Sequence, residues 1–159
     1  AFSLARELGA STSEAQDFID LYYEKYPKVK DYLEKSVTDA LKSGVAKTLF
    51  GRKRPVPELK QKDRTVQQFG RRIALNTPIQ GTAADLMKKA MIDIGSDIKN
   101  QGLGAKMILQ VHDELVFEVP KKELEKTEAL VKKRMEGVFP MKVPLKVHLG
   151  YGANWAEAK

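Results

Sequence analysis

Between Ala105 and Val119 the sequence reads Ala-Lys-Met-Ile-Leu-Gln-Val-His-Asp-Glu-Leu-Val-Phe-Glu-Val, and no other stretch restricts the possible folds as much. Met107-Ile108-Leu109 is an apolar run, and Leu115, Phe117 and Val119 alternate with their neighbours, the period of half-buried strand. The pattern is interrupted at one place, His112-Asp113-Glu114. Two antiparallel strands, 105–111 and 115–119, joined by a tight turn are the simplest geometry for it. An Asp is at home in a turn, and a solvated tip is the ordinary reading of an isolated Asp-Glu. Adjacent carboxylates repel each other unless a cation or basic group balances them. Hard divalent cations such as Mg2+ take carboxylate oxygens.

Composition narrows the classes. The 159 residues are 42% hydrophobic and 31% charged, so a packed core is feasible and disorder is not expected. A net charge of +7 favours polyanionic partners, nucleic acid above all. There is no Cys, which excludes disulfides, thiolate catalysis and Cys-ligated zinc. His112 and His148 are the only histidines, too few for a His-rich metal site. No apolar stretch reaches transmembrane length, and Ala1-Phe2-Ser3-Leu4 has no signal-peptide character. The expectation is a soluble, cytoplasmic protein or a fragment of one. A start without Met, in helix-forming residues, reads as a cut from something longer.

Taken in order, residues 2–8 read as a helix end stopped by Gly9, and Ser11 with Glu14 forms a capping-box pattern. Ala15, Phe18, Ile19, Tyr22 and Tyr26 follow at helical spacing. They predict a buried stripe rather than stacking platforms for bases. Pro27 suits the first turn of a second helix running to Gly44, with Val29, Tyr32, Leu33, Val37, Ala40 and Leu41 inward. Val45 to Pro57 reads as a β-ribbon turning at Gly51, and Arg52-Lys53-Arg54 makes a natural phosphate contact.

A helix from about Asp63 carries Val66, Phe69 and Ile73 inward. Pro78 disfavours an uninterrupted helix through Asn76-Thr-Pro-Ile-Gln80-Gly81. Gly81 lets another backbone or a ligand come close. Arg72, Asn76 and Gln80 are spaced four apart, so they share a face if the helical path roughly continues. Such side chains donate to phosphates, sugars or minor-groove base edges. A long helix to about Asn100 has Leu86, Met87, Ala90, Met91, Ile94 and Ile98 as its core face. After the hairpin, Pro120 opens a helix with Leu124, Thr127, Val131, Met135 and Val138 inward. Residues 144–149 predict one more strand, and Trp155 an anchor for the tail.

Three segments, taken together, resemble the C-terminal part of the family A DNA polymerases of the bacterial DNA polymerase I type. Gln-Val-His-Asp-Glu at 110–114 is similar to the motif on the family's palm hairpin. The run from Arg72 through Asn76 and Gln80 to Asp85 is similar to the motif before it, and Thr48 to Pro57 to the basic turn after the fingers helices. The resemblance extends along essentially the whole chain and overrides the solvated-turn reading of Asp113.

The resemblance implies an α+β fold. Residues 1–62 would be distal fingers helices and the basic ribbon, and 63–159 the C-terminal part of the palm, an antiparallel sheet packed on helices. It implies a DNA-directed DNA polymerase acting on primer-template DNA and deoxynucleoside triphosphates with two Mg2+ ions. Asp113 would be one of the two metal-holding aspartates and Glu114 the accessory acid. Arg54, Arg72, Asn76, Gln80 and His112 would contact DNA.

The family's other metal-binding aspartate and its nucleotide-gripping helix have no counterpart in this sequence. Asp85 sits on a helix, where capping or packing suits it better. The expectation is therefore a chain inactive alone, completed by an N-terminal part of the polymerase as a separate or cleaved chain. That part would also cover an otherwise open, apolar hairpin edge. The alternatives are a non-catalytic DNA-binding palm-like module and a metal-dependent nuclease complete within this chain.

Overall fold

Helix ends follow the local chemistry of the chain. In the computed structural model, which describes residues 1–158, α1 (Phe2–Leu8) stops at Gly9 and α3 (Pro27–Ser43) at Gly44. Both glycines have positive φ, 64° and 75°, where a side chain is strained. α2 (Thr12–Lys25) opens with the expected capping box. The Ser11 hydroxyl accepts from the Glu14 N–H at 3.2 Å, and the Glu14 carboxylate accepts from the Ser11 N–H at 2.8 Å. Those bonds, the backbone one foremost, hold the Glu14 carboxyl below its ordinary range.

The β-ribbon forms between β1 (Val45–Lys47) and β2 (Lys53–Pro55), antiparallel, with Ala46 opposite Arg54 and Lys47 opposite Lys53. A 3-10 turn at Pro57–Lys60 leads into α4 (Arg64–Asn76). Its N-cap Asp63 accepts from the N–H groups of Thr65 and Val66 at 2.7 and 3.2 Å. Ala40, Ala46, Val56, Ile73 and Ala74 pack α3, the ribbon and α4 into one core. These elements belong to the first of two compact units, Ala1–Gly81.

The second unit begins at Thr82. α5 (Thr82–Asn100) and α6 (Leu124–Glu136) bury Ala90, Ile94, Leu130 and Val131 between them, with Val138 beside them. β3 (Lys106–Val111) and β4 (Glu114–Glu118) form the hairpin, and Met107, Leu115 and Phe117 from its inner face pack on that core. Arg134 of α6 donates from Nε and Nη2 to the Asp97 carboxylate of α5 at 2.6 and 2.9 Å, a bidentate pair. This arrangement of helices with small antiparallel sheets is α+β. No described helix is long and apolar enough to cross a membrane.

Two expectations are corrected. Phe18, Tyr22, Tyr26, Val29, Tyr32, Leu41 and Phe69 are exposed, not inward. Helical spacing reports a shared face; it does not report what covers it. Residues 144–149 form no strand among the described residues. The Val147 N–H instead donates to Glu136 Oε1 at 3.1 Å, and Leu145 packs against the α5–α6 core. A strand pattern needs a neighbour with free ladder groups before it becomes a strand. Trp155, expected to anchor the tail, is 42% exposed.

Burial predicts which truncations matter. Ile94→Ala should cost about 2–5 kcal/mol of stability, whereas Phe18→Ala, on an exposed face, should stay within about 0.5 kcal/mol; urea unfolding of the two variants separates them. Asp97 is held below the ordinary aspartate range, chiefly by its hydrogen bond from Arg134. A depressed folded-state pKa contributes stability above the unfolded value that is lost as pH falls through the folded one. Asp97→Asn should therefore flatten the decline in stability below the ordinary carboxylate range, measured by urea unfolding across acidic pH.

Candidate nucleic-acid interface and metal site

The basic ribbon and the end of α4 build one site within the first unit. Arg52, just before β2, and Arg54, within it, both face this site, and Lys53 between them is not part of its lining. α4 ends at Asn76, and the backbone widens into a π-helical turn, Thr77–Gly81, before helix resumes at Thr82. Pro78 has no N–H to donate and its ring crowds the carbonyl four residues back. The widened turn accommodates both defects, and such turns recur at functional sites. The buried Thr77 hydroxyl donates to the Ile73 carbonyl at 2.7 Å, a back-bond that accompanies bending.

Gly81 closes this turn against the ribbon. A Cβ there would lie 2.8 Å from Thr48 Cγ2 and 3.3 Å from Arg52 Nη2, so the close approach expected of this glycine is to ribbon side chains. Arg52 Nη2 donates to the Gly81 carbonyl at 3.0 Å. The Thr48 hydroxyl, facing the same turn, accepts from the Arg52 N–H at 3.2 Å.

The result is a cleft of about 220 Å³ lined by Arg52, Arg54, Asn76, Thr77, Gln80 and Gly81. It joins two guanidinium groups to two side-chain amides and contains no carboxylate, a lining suited to phosphate, sugar or base-edge acceptors. Asn76, Gln80 and Arg54 are brought together. Arg72 is not part of this lining: its guanidinium lies over the exposed Phe69 ring, 5.7 Å from the centroid. Arg52 is the cleft residue that sequence reasoning weighted too little. Its spacing of two from Arg54 in a ribbon was the available signal.

The hairpin turn lies in the second unit. Val111 pairs with Glu114, leaving His112 and Asp113 as a two-residue loop, both exposed. His112 has φ 51°, the one described non-glycine residue with positive φ. This conformation costs an ordinary residue about 1–2 kcal/mol, and strain of that kind clusters at functional sites. The Gln110 side-chain amide braces the turn by donating to the His112 carbonyl at 2.7 Å. Ile108 forms a bulge between Met107 and Leu109, and Ile108 and Leu109 are both exposed.

Asp113 and Glu114 place two adjacent carboxylates at this turn. Their hard oxygens fit Mg2+, which is commonly bound by one or two carboxylates with water and substrate phosphates completing the shell. No cluster of three or more His, Cys, Asp or Glu with metal-binding geometry occurs among the described residues. The pair is a partial donor set.

Gly81→Ala should cost about 1–3 kcal/mol through overpacking. Thr48→Ser, which removes Cγ2 and keeps the hydroxyl, should recover part of that loss when combined with it. Thermal unfolding of the two single variants and the double variant checks both statements.

Comparison with known proteins places this architecture. The sequence model of DNA polymerase family A matches residues 1–157. The thermostable DNA polymerase I of Thermus filiformis is 46% identical over 159 residues, covering 100% of this chain and 19% of that protein. DNA polymerase I of Bacillus subtilis is 46% identical over 158 residues, 99% of this chain and 18% of its own length. The chain thus spans about a fifth of the length of these relatives. Among solved structures, the POL domain of Pol1 from M. smegmatis, in complex with DNA primer-template and dNTP, superposes with a TM-score of 0.93 at 44% identity. That match covers 98% of this chain and 27% of the solved one. On a match that runs almost from end to end, this chain belongs to DNA polymerase family A.

Proposed function

We propose that this chain is the C-terminal portion of a template-directed DNA polymerase and supplies one of two metal-holding aspartates. The observation that carries the reading is its superposition, over 98% of its length, on a POL domain whose structure holds DNA primer-template and dNTP. Residues 1–62 are assigned to the distal fingers and 63–159 to the C-terminal part of the palm. The partners are primer-template DNA, deoxynucleoside triphosphates and the N-terminal portion of the polymerase. Two features of the hairpin support the need for that last partner: its sheet has two strands among the described residues, and Ile108 and Leu109 are exposed.

The reaction joins the primer 3′-hydroxyl oxygen to the α-phosphorus of the nucleotide as the bond to pyrophosphate breaks. Asp113 and Glu114 would hold Mg2+ together with an upstream aspartate. When bound, the ions neutralise charge on the leaving pyrophosphate and favour loss of the hydroxyl proton. The residues of this chain hold the reactants in line. Asp113 would fix its side of the site, and Glu114 would help position the ion or its water. His112, set by its turn, lies against the primer strand. Arg54 contacts backbone phosphate. Arg72, Asn76 and Gln80 contact template and primer, including minor-groove acceptors present in every correct pair, and contacts of that kind test pair geometry without reading sequence.

The test is Mg2+-dependent primer extension by this chain alone and mixed with a polypeptide supplying the upstream aspartate and nucleotide-gripping helix. The expected result is activity in the mixture alone, reduced on the order of 10³-fold or more by Asp113→Ala. Extension by the chain alone would overturn the divided site. DNA binding indifferent to Mg2+ and to Asp113→Ala, with no extension in the mixture, would establish a binding module instead.

A further inference from the structure

We propose that Arg52 is a positioning residue that locks the π-helical turn, so that Asn76 and Gln80 meet DNA as one rigid surface. The inference rests on the DNA-facing reading of those two residues and assigns a role to a third. π-helical turns are rare and occur mostly as single-turn bulges inside α-helices, and this one contains Pro78, which removes a backbone donor. Something outside the helix has to hold it.

The ribbon supplies two restraints from one short segment. Thr48 Cγ2 occupies the space that any side chain at position 81 would need. Arg52 Nη2 binds the Gly81 carbonyl at 3.0 Å across 29 residues of sequence. A carbonyl has a second lone pair free for such a donor, and a charged donor makes the bond stronger than a neutral one. The base of Arg52 is itself fixed: its N–H donates to the Thr48 hydroxyl, and its carbonyl accepts from the Thr48 N–H at 3.0 Å. Gly81 adjoins Gln80, and both line the cleft with Asn76. Loss of the Arg52 bond would let the turn relax, changing the angle between the two amides. A planar guanidinium suits this better than an ammonium on a flexible stem.

The experiment compares the chain with Arg52→Lys, which keeps the charge, in two backgrounds: wild type and Asn76→Ala/Gln80→Ala. Amide hydrogen exchange across 77–82 is measured without DNA, and primer-template affinity by fluorescence anisotropy over a salt series. The expected result is faster exchange in 77–82 and roughly 3–10-fold weaker binding with an unchanged salt slope. In the double-alanine background the same change should have less than about a twofold effect, because the two sites act as one unit.

Unchanged exchange overturns the lock. An equal loss in both backgrounds overturns the positioning role and makes Arg52 an independent DNA contact. If Asn76→Ala/Gln80→Ala binds as tightly as wild type, the DNA-facing reading fails and the proposed role fails with it. That outcome stands apart from failure of the lock, because the exchange measurement involves no DNA.

Discussion

Through Pro78 the backbone cannot run as an unbroken α-helix, and the first unit is arranged around that defect. A proline inside a helix removes one hydrogen bond and forces the preceding turn open. Here the opening takes the form of a π-helical turn, Thr77–Gly81, rather than a break. The buried Thr77 hydroxyl is satisfied by the Ile73 carbonyl, and the ribbon restrains the turn from outside through Thr48 and Arg52. The ribbon is in turn held by the core of Ala40, Ala46, Val56, Ile73 and Ala74. Small residues dominate that core, which lets backbones approach closely where larger side chains would keep them apart.

The second unit solves a different problem, presenting acids on a strained turn without losing the strands behind it. One face of the β3–β4 hairpin is anchored by Met107, Leu115 and Phe117 on the α5–α6 core, and the Arg134–Asp97 pair ties the two helices together. The strands are therefore fixed independently of their tip. His112 can adopt φ 51° because the anchored strands and the Gln110 brace over-determine the turn. Asp113 and Glu114 remain exposed at the end of this rigid support, where oxygen ligands are accessible.

Much of this was legible in the residues. Gly9 and Gly44, the Ser11–Glu14 box and Pro27 mark helix ends by purely local chemistry, and each end falls where that chemistry places it. The hairpin was legible because period-2 alternation fixes which side chains share a face. Failures came where a local pattern was asked for a non-local answer. The stripe of Phe18, Tyr22 and Tyr26 is helical as expected yet exposed. The segment 144–149 has strand composition, yet no strand pairs with it among the described residues.

The site divides in the same way. Sequence alone placed Asn76 and Gln80 four residues apart, three consecutive cations on the ribbon, and an acidic pair at the hairpin turn. These depend on φ/ψ preferences, proline chemistry and side-chain period, all encoded within a few residues. Tertiary structure decided that Asn76, Gln80, Arg52 and Arg54 line a single cleft while Arg72 turns to Phe69. It also decided that Gly81 is kept small by Thr48 and bound by Arg52. Those contacts join residues some thirty positions apart, and only the packing of the ribbon against α4 brings such distant groups within bonding distance.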